Sequence, residues 1–144
     1  MRGAFALILS LAIAPPLAAQ EGLDTLVPLI EVYGPGGASP GFDVAGIRCA
    51  GLYGAQERWG RRDRSARPTA AQMQAFQSNL DSAQQARINA GTGPATARDS
   101  VEEDVFRVMD LYEQVFADND RRGRLWNDGP LLRGDMAYCA ALNP

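Results

Sequence analysis

The sequence predicts an all-α fold: a small antiparallel helical bundle of four main helices, with a short N-terminal helix packed on it. Three observations carry this. Apolar residues recur at helical spacing in five segments. No segment alternates apolar and polar residues as a half-buried strand does. The breaks between the helical segments are short and rich in Gly, Pro, Asn and Asp, so successive helices are expected to fold back on one another.

The chain opens MRGAFALILSLAIAPPLAAQEG. Arg2 is a minimal positive region, residues 4–14 are an apolar run, and PPLAA supplies helix breakers and small residues ending at Ala19. That is the layout of a secretory signal peptide over residues 1–19. The apolar run is too short for a bilayer-spanning helix, which needs about 20 residues. Gln20 rather than Cys follows the expected cut, so no lipidated terminus is indicated. Residues 20–144 are then a single helical domain, exported to a bacterial periplasm or secreted, with no transmembrane segment in the mature chain.

In that domain Leu26, Leu29, Ile30 and Tyr33 share a helical face over residues 25–33. Thr25 is the expected cap, Pro28 falls in the first turn and Gly34 is the stop. GPGGASPG (34–41) reads as a loop; it lacks the Gly-Lys-Ser/Thr ending of a phosphate cradle. A second helix runs from about Asp43 to Trp59, with Ala45, Cys49, Leu52 and Trp59 along one side. Gly46, Gly51 and Gly54 weaken it by about 1 kcal/mol each relative to Ala, which implies a close helix neighbour. Thr69 and Gln72 have capping-box spacing before a third helix reaching about Asn89, striped by Met73, Phe76, Leu80 and Ala83. Ser100 and Glu103 form a second box before the strongest pattern, Val101, Val105, Val108, Met109, Tyr112, Val115 and Phe116, ending near Asn119. The last helix starts around Asp128-Gly129-Pro130, with Leu131, Leu132, Met136, Cys139 and Leu142 inward.

Cys49 and Cys139 are the only cysteines. An even pair in an exported chain reads as a disulfide. In up-down-up-down order the first and last main helices are antiparallel neighbours, which brings both cysteines toward one pole. Closing so long a loop contributes roughly 4 kcal/mol on the loop-entropy account. A redox pair would need close spacing or a cationic pocket, and neither is evident.

Composition removes several chemistries. The chain has no His, hence no imidazole base, metal ligand or near-neutral switch. Two cysteines alone do not make a zinc site, and no cofactor motif occurs. The formal net charge of −3 argues against nucleic acid as partner. Asp118, Asp120, Gly123 and Leu125 begin like a calcium loop, but Arg122 stands at a ligand position and Gly129 replaces the closing Glu. Glu102, Glu103, Asp104, Asp110 and Glu113 read as the solvated face of a helix rather than acid–base pairs. No catalytic residue is expected, and a carboxylate-based enzyme is the least favoured reading.

Two clusters remain. RWGRRDRSAR (58–67) carries Arg58, Trp59, Arg61, Arg62, Arg64 and Arg67; RRGRLW (121–126) carries Arg121, Arg122, Arg124 and Trp126. Each follows a helix C-terminus, where cations are favourable, and the bundle would bring both to the pole opposite the disulfide. They predict a surface for an anionic partner: a lipid head group, an acidic glycan or an acidic protein face. The competing account is that Asp63, Asp118, Asp120 and Asp128 neutralise the arginines and both Trp simply close the core. An accessory subunit docking a partner through Gly46, Gly51 and Gly54 is the alternative function.

Overall fold

A computed structural model describes residues 23–34 and 42–143. The expected signal peptide (1–19) and residues 35–41 of the expected loop lie outside the described residues. Among the described residues the helices are, in order, α1 (Leu29–Tyr33), α2 (Phe42–Trp59), α3 (Ala70–Asn89), α4 (Pro94–Arg121) and α5 (Pro130–Leu142), with a 3-10 turn at Arg64–Ala66. There is no strand among the described residues, and no helix there is long and apolar enough to cross a membrane.

α2 is the hub. Every residue from Val44 to Gln56 is buried, so this helix has no solvent face for most of its length. That explains its weak apolar–polar division: a helix covered on all sides needs no polar stripe. The glycines set the spacing of its neighbours. A Cβ on Gly46 would lie 3.1 Å from the Asn79 carbonyl oxygen of α3, and one on Gly51 would sit 2.3 Å from a methyl of Val108 in α4. The close neighbours that the glycines imply are thus α3 and α4 of the same chain. Gly51 beside Val108, Gly54 beside Met109 and Trp59 beside Phe116 show α2 and α4 running the same way. Asp43 beside Arg87 and Gly46 beside Asn79 and Ala83 show α3 running against them.

α3 starts where the sequence says it should. Thr69 Oγ1 accepts from Gln72 N–H, and Gln72 Oε1 accepts from Thr69 N–H. The expected second box does not exist. α4 begins at Pro94, whose missing N–H is no loss in a first turn. Ser100 therefore lies inside the helix, donating to the Ala97 carbonyl and accepting from Arg87. α4 also runs on to Arg121, past the expected end at Asn119. Its face of Val101, Val105, Val108, Met109, Tyr112 and Phe116 is buried as expected. α1 is shorter than expected: Pro28, not Thr25, precedes its first residue, so the 26/29/30/33 stripe is broken. Leu29 is fully buried, whereas Ile30 is half exposed.

α5 packs against α2 and is bonded to it covalently. The Cys49 and Cys139 sulfurs are 2.02 Å apart and both residues are buried. Tyr138 of α5 meets Tyr33 of α1, with ring centroids 6.2 Å apart.

Candidate functional site

The Arg-rich pole is built on the C-terminal end of α2. Trp59 and Trp126 are both buried and both lie edge-on to Phe116 of α4, with centroids 5.9 and 5.2 Å away. Such pairs add about 0.5–1.5 kcal/mol each beyond the area they bury. Both tryptophans are buried at this end of the core. Trp59 keeps an outer role, because the Arg62 guanidinium lies 4.6 Å from its ring centroid.

The two arginine clusters are neutralised differently. In the second, Arg121 and Arg122 share Asp118, at 3.3 and 2.9 Å. Arg124 is exposed and makes no ion pair among the described residues. The loop after α4 is pinned by Asn119, whose side-chain amide donates to the Trp126 and Asp128 carbonyls at 3.0 and 2.8 Å. Asp128 itself pairs with Arg133.

In the first cluster the carboxylate is used elsewhere. Asp63 Oδ1 accepts from Ser65 N–H at 2.9 Å and from Ser65 Oγ at 2.8 Å, capping the 3-10 turn. Arg67 Nε donates to the Gly60 carbonyl at 3.0 Å, tying the far side of the loop back to α2. Gly60 permits that approach, since a Cβ there would fall 2.6 Å from Arg67 Cγ. Arg61, Arg62 and Arg64 are exposed and have no carboxylate partner among the described residues. Arg58 is compensated, by Asp110 at 2.9 Å and Glu113 at 3.8 Å, and its guanidinium also sits 5.4 Å from the exposed Phe106 ring. Arg58, Trp59, Arg61, Arg62 and Glu113 line one open cavity of about 280 Å³. Arg64, Arg121, Arg122, Arg124 and Trp126 do not line it.

The remaining carboxylates are held in ion pairs or face solvent. Asp104 joins Arg87 and Arg107, and Glu102 is exposed. Gly46, Gly51 and Gly54 are covered by α3 and α4, so the glycine face is not open to a partner helix.

A second polar cluster was not foreseen. Arg48, Tyr112 and Asp135 are all fully buried. Asp135 Oδ2 accepts from Arg48 at 2.6 Å and from the Tyr112 hydroxyl at 2.6 Å; its Oδ1 accepts from Leu29 N–H at 2.7 Å. Arg48 also donates to the Tyr112 oxygen at 3.2 Å and to the Val27 carbonyl at 3.0 Å. Burial alone would lower the Arg48 pKa, but Tyr112 and Asp135 outweigh it and the net shift is upward. Burial pushes the Tyr112 phenol far above its ordinary range, Arg48 opposes and Asp135 adds to the rise. The cluster is closed to solvent and joins α1, α2, α4 and α5; it positions elements rather than offering a binding surface. Asp135 falls between Leu132 and Cys139 on the buried side of α5, and an acid on an apolar stripe was the one local signal of it.

The chain matches no protein-family model, no curated protein and no solved structure.

Proposed function

We propose that the chain is an exported, non-catalytic binding protein whose Arg58–Arg67 loop grips an anionic partner. The observation that carries this reading is the unequal neutralisation of its two arginine clusters. Asp118 compensates Arg121 and Arg122, whereas Asp63 is turned onto Ser65 and leaves Arg61, Arg62 and Arg64 without a carboxylate. Unpaired guanidinium groups on a loop fixed at both ends are pre-organised donors, so less ordering entropy opposes an anion that meets them. Export is supported by the leader-like residues 1–19 and by the Cys49–Cys139 bond.

Immobilised heparin is a suitable polyanionic probe. The wild-type protein should elute at clearly higher salt than Arg61→Glu/Arg62→Glu, with unchanged far-ultraviolet circular dichroism. Arg121→Glu/Arg122→Glu should move elution less, because Asp118 already compensates that pair. Identical elution of the wild type and the Arg61/Arg62 variant would overturn the reading.

A further inference from the structure

The geometry points to a phosphomonoester or sulfate dianion as the group that occupies the cavity beside Trp59, with Arg61 and Arg62 as its two clamps. This rests on the reading of the pole as an anion-binding surface and narrows it to one chemical class.

Charge sets the first constraint. The groups facing the cavity are Arg58, Arg61 and Arg62 from the end of α2 and its following turn, and Glu113 from α4. Arg58 is already held by Asp110 and Glu113. With Asp110 and Glu113 set against three guanidinium groups the site keeps a net positive charge, and Arg61 and Arg62 are its two donors with no carboxylate of their own. Glu113 closes the α4 side to an anion and leaves the Arg61/Arg62 edge as its place.

Donor geometry sets the second. A guanidinium stacked on an aromatic ring uses its π face and keeps its N–H groups in the plane, pointing outward. The Arg62 guanidinium carbon lies over the Trp59 ring, 4.6 Å from its centroid. The Arg62 backbone N–H donates to the Trp59 carbonyl at 2.8 Å, and that of Arg61 to the Arg58 carbonyl at 3.3 Å, so both side chains spring from one tight turn. An oriented fork of this kind suits the paired oxygens of a tetrahedral oxyanion.

Size sets the third. A tetrahedral oxyanion displaces roughly three waters, about 90 Å³ at about 30 Å³ each. The cavity of about 280 Å³ therefore has room for the anion and for the first atoms of whatever carries it.

The composition of the protein makes the test clean. With no His, and with both Cys in the disulfide, no side chain is of a type that titrates between pH 5 and 7. A phosphomonoester does titrate there, with a second pKa of about 6. Titration of the mature protein with glycerol 3-phosphate, followed by calorimetry and by tryptophan fluorescence, should show one site. Its affinity should rise about tenfold from pH 5 to pH 7, while affinity for sulfate, a dianion throughout, stays flat. Arg62→Ala should weaken both ligands at least tenfold, and Arg121→Ala should leave both unchanged. Vesicles of phosphatidic acid in phosphatidylcholine, set against soluble glycerol 3-phosphate, separate the two sources: stronger capture of the vesicles names a lipid head group, and equal affinity names a soluble ester. A glycerol 3-phosphate affinity that is flat with pH, or unaffected by Arg62→Ala, overturns the dianion site. If heparin retention still depends on Arg61 and Arg62 while neither small dianion binds, the anionic pole stands and this narrower assignment falls.

Discussion

Asp135 accepts three hydrogen bonds where it is fully buried, and Arg48 is the cation paired with it there. Removing one partner of such a pair is far more damaging than removing both, because the other is left charged and buried. Asp135→Asn should therefore lower unfolding free energy by about 3–5 kcal/mol in urea titrations. Tyr112→Phe removes one donor and one acceptor but no charge, and should cost about 1–3 kcal/mol. Alkaline pH attacks the same region through the phenols. The pKa of all four tyrosines is raised, mainly by burial; Tyr33 is pushed up to about 12, with Asp43 and Tyr138 adding to burial and Arg48 opposing it. An unfolded tyrosine ionises near 10, so between about pH 10 and the folded values the unfolded chain binds fewer protons than the folded one. Stability should be level below about pH 10 and fall above it. The chain has no Lys, so tyrosinate absorbance tracks this transition with no other side chain titrating beside it. Absorbance that rises fully before unfolding begins would contradict the assignment.

At the scale of helices, α2 and α5 place opposite demands on glycine. Gly51 has no room: an added Cβ would meet Val108 side-chain atoms at 2.3 and 2.8 Å. Gly51→Ala gains about 1 kcal/mol of helix propensity but overpacks a seam, a change that typically costs about 1–3 kcal/mol. A net loss is expected. Gly134 on α5 has nothing within 4 Å of an added Cβ, so Gly134→Ala should stabilise by up to about 1 kcal/mol. Thermal unfolding of the two variants should shift in opposite directions. Elements with local signatures were legible in the sequence: the Thr69–Gln72 box, the broad face of α4 and the Pro130 start all lie where periodicity and capping put them. The Ser100–Glu103 match misled because the Gly93-Pro94 start before it was the stronger signal. Arg48 and Asp135 were not legible as a pair, being 87 positions apart and each set among apolar neighbours. The Arg58–Arg67 cluster was visible as a run of residues. Which cluster stays unneutralised depends on whether an aspartate turns to a serine or to an arginine, and that is fixed only by the loop fold.

For the whole molecule, the pairing of Cys49 with Cys139 was legible from the expected helix order, and the bond between α2 and α5 bears it out. The bond also lies next to the Arg48–Asp135 pair, so covalent and ionic links join the same two helices side by side. It turns residues 49–139 into a closed ring, with consequences for how the molecule carries load. Tension applied between handles at residues 23 and 143 enters α2 through its first turns, crosses the sulfur bridge and leaves through the last turn of α5. α3 and α4 lie off that path and feel no pull. In an optical trap the oxidised protein should lengthen only by its tails, on the order of 100 Å at about 3.5 Å per residue. Reductant should add a later step of about 300 Å as the 90-position span pays out. The loop bearing Arg61 and Arg62 sits inside the ring, so the arginine-rich pole should keep its shape while the tails are drawn straight.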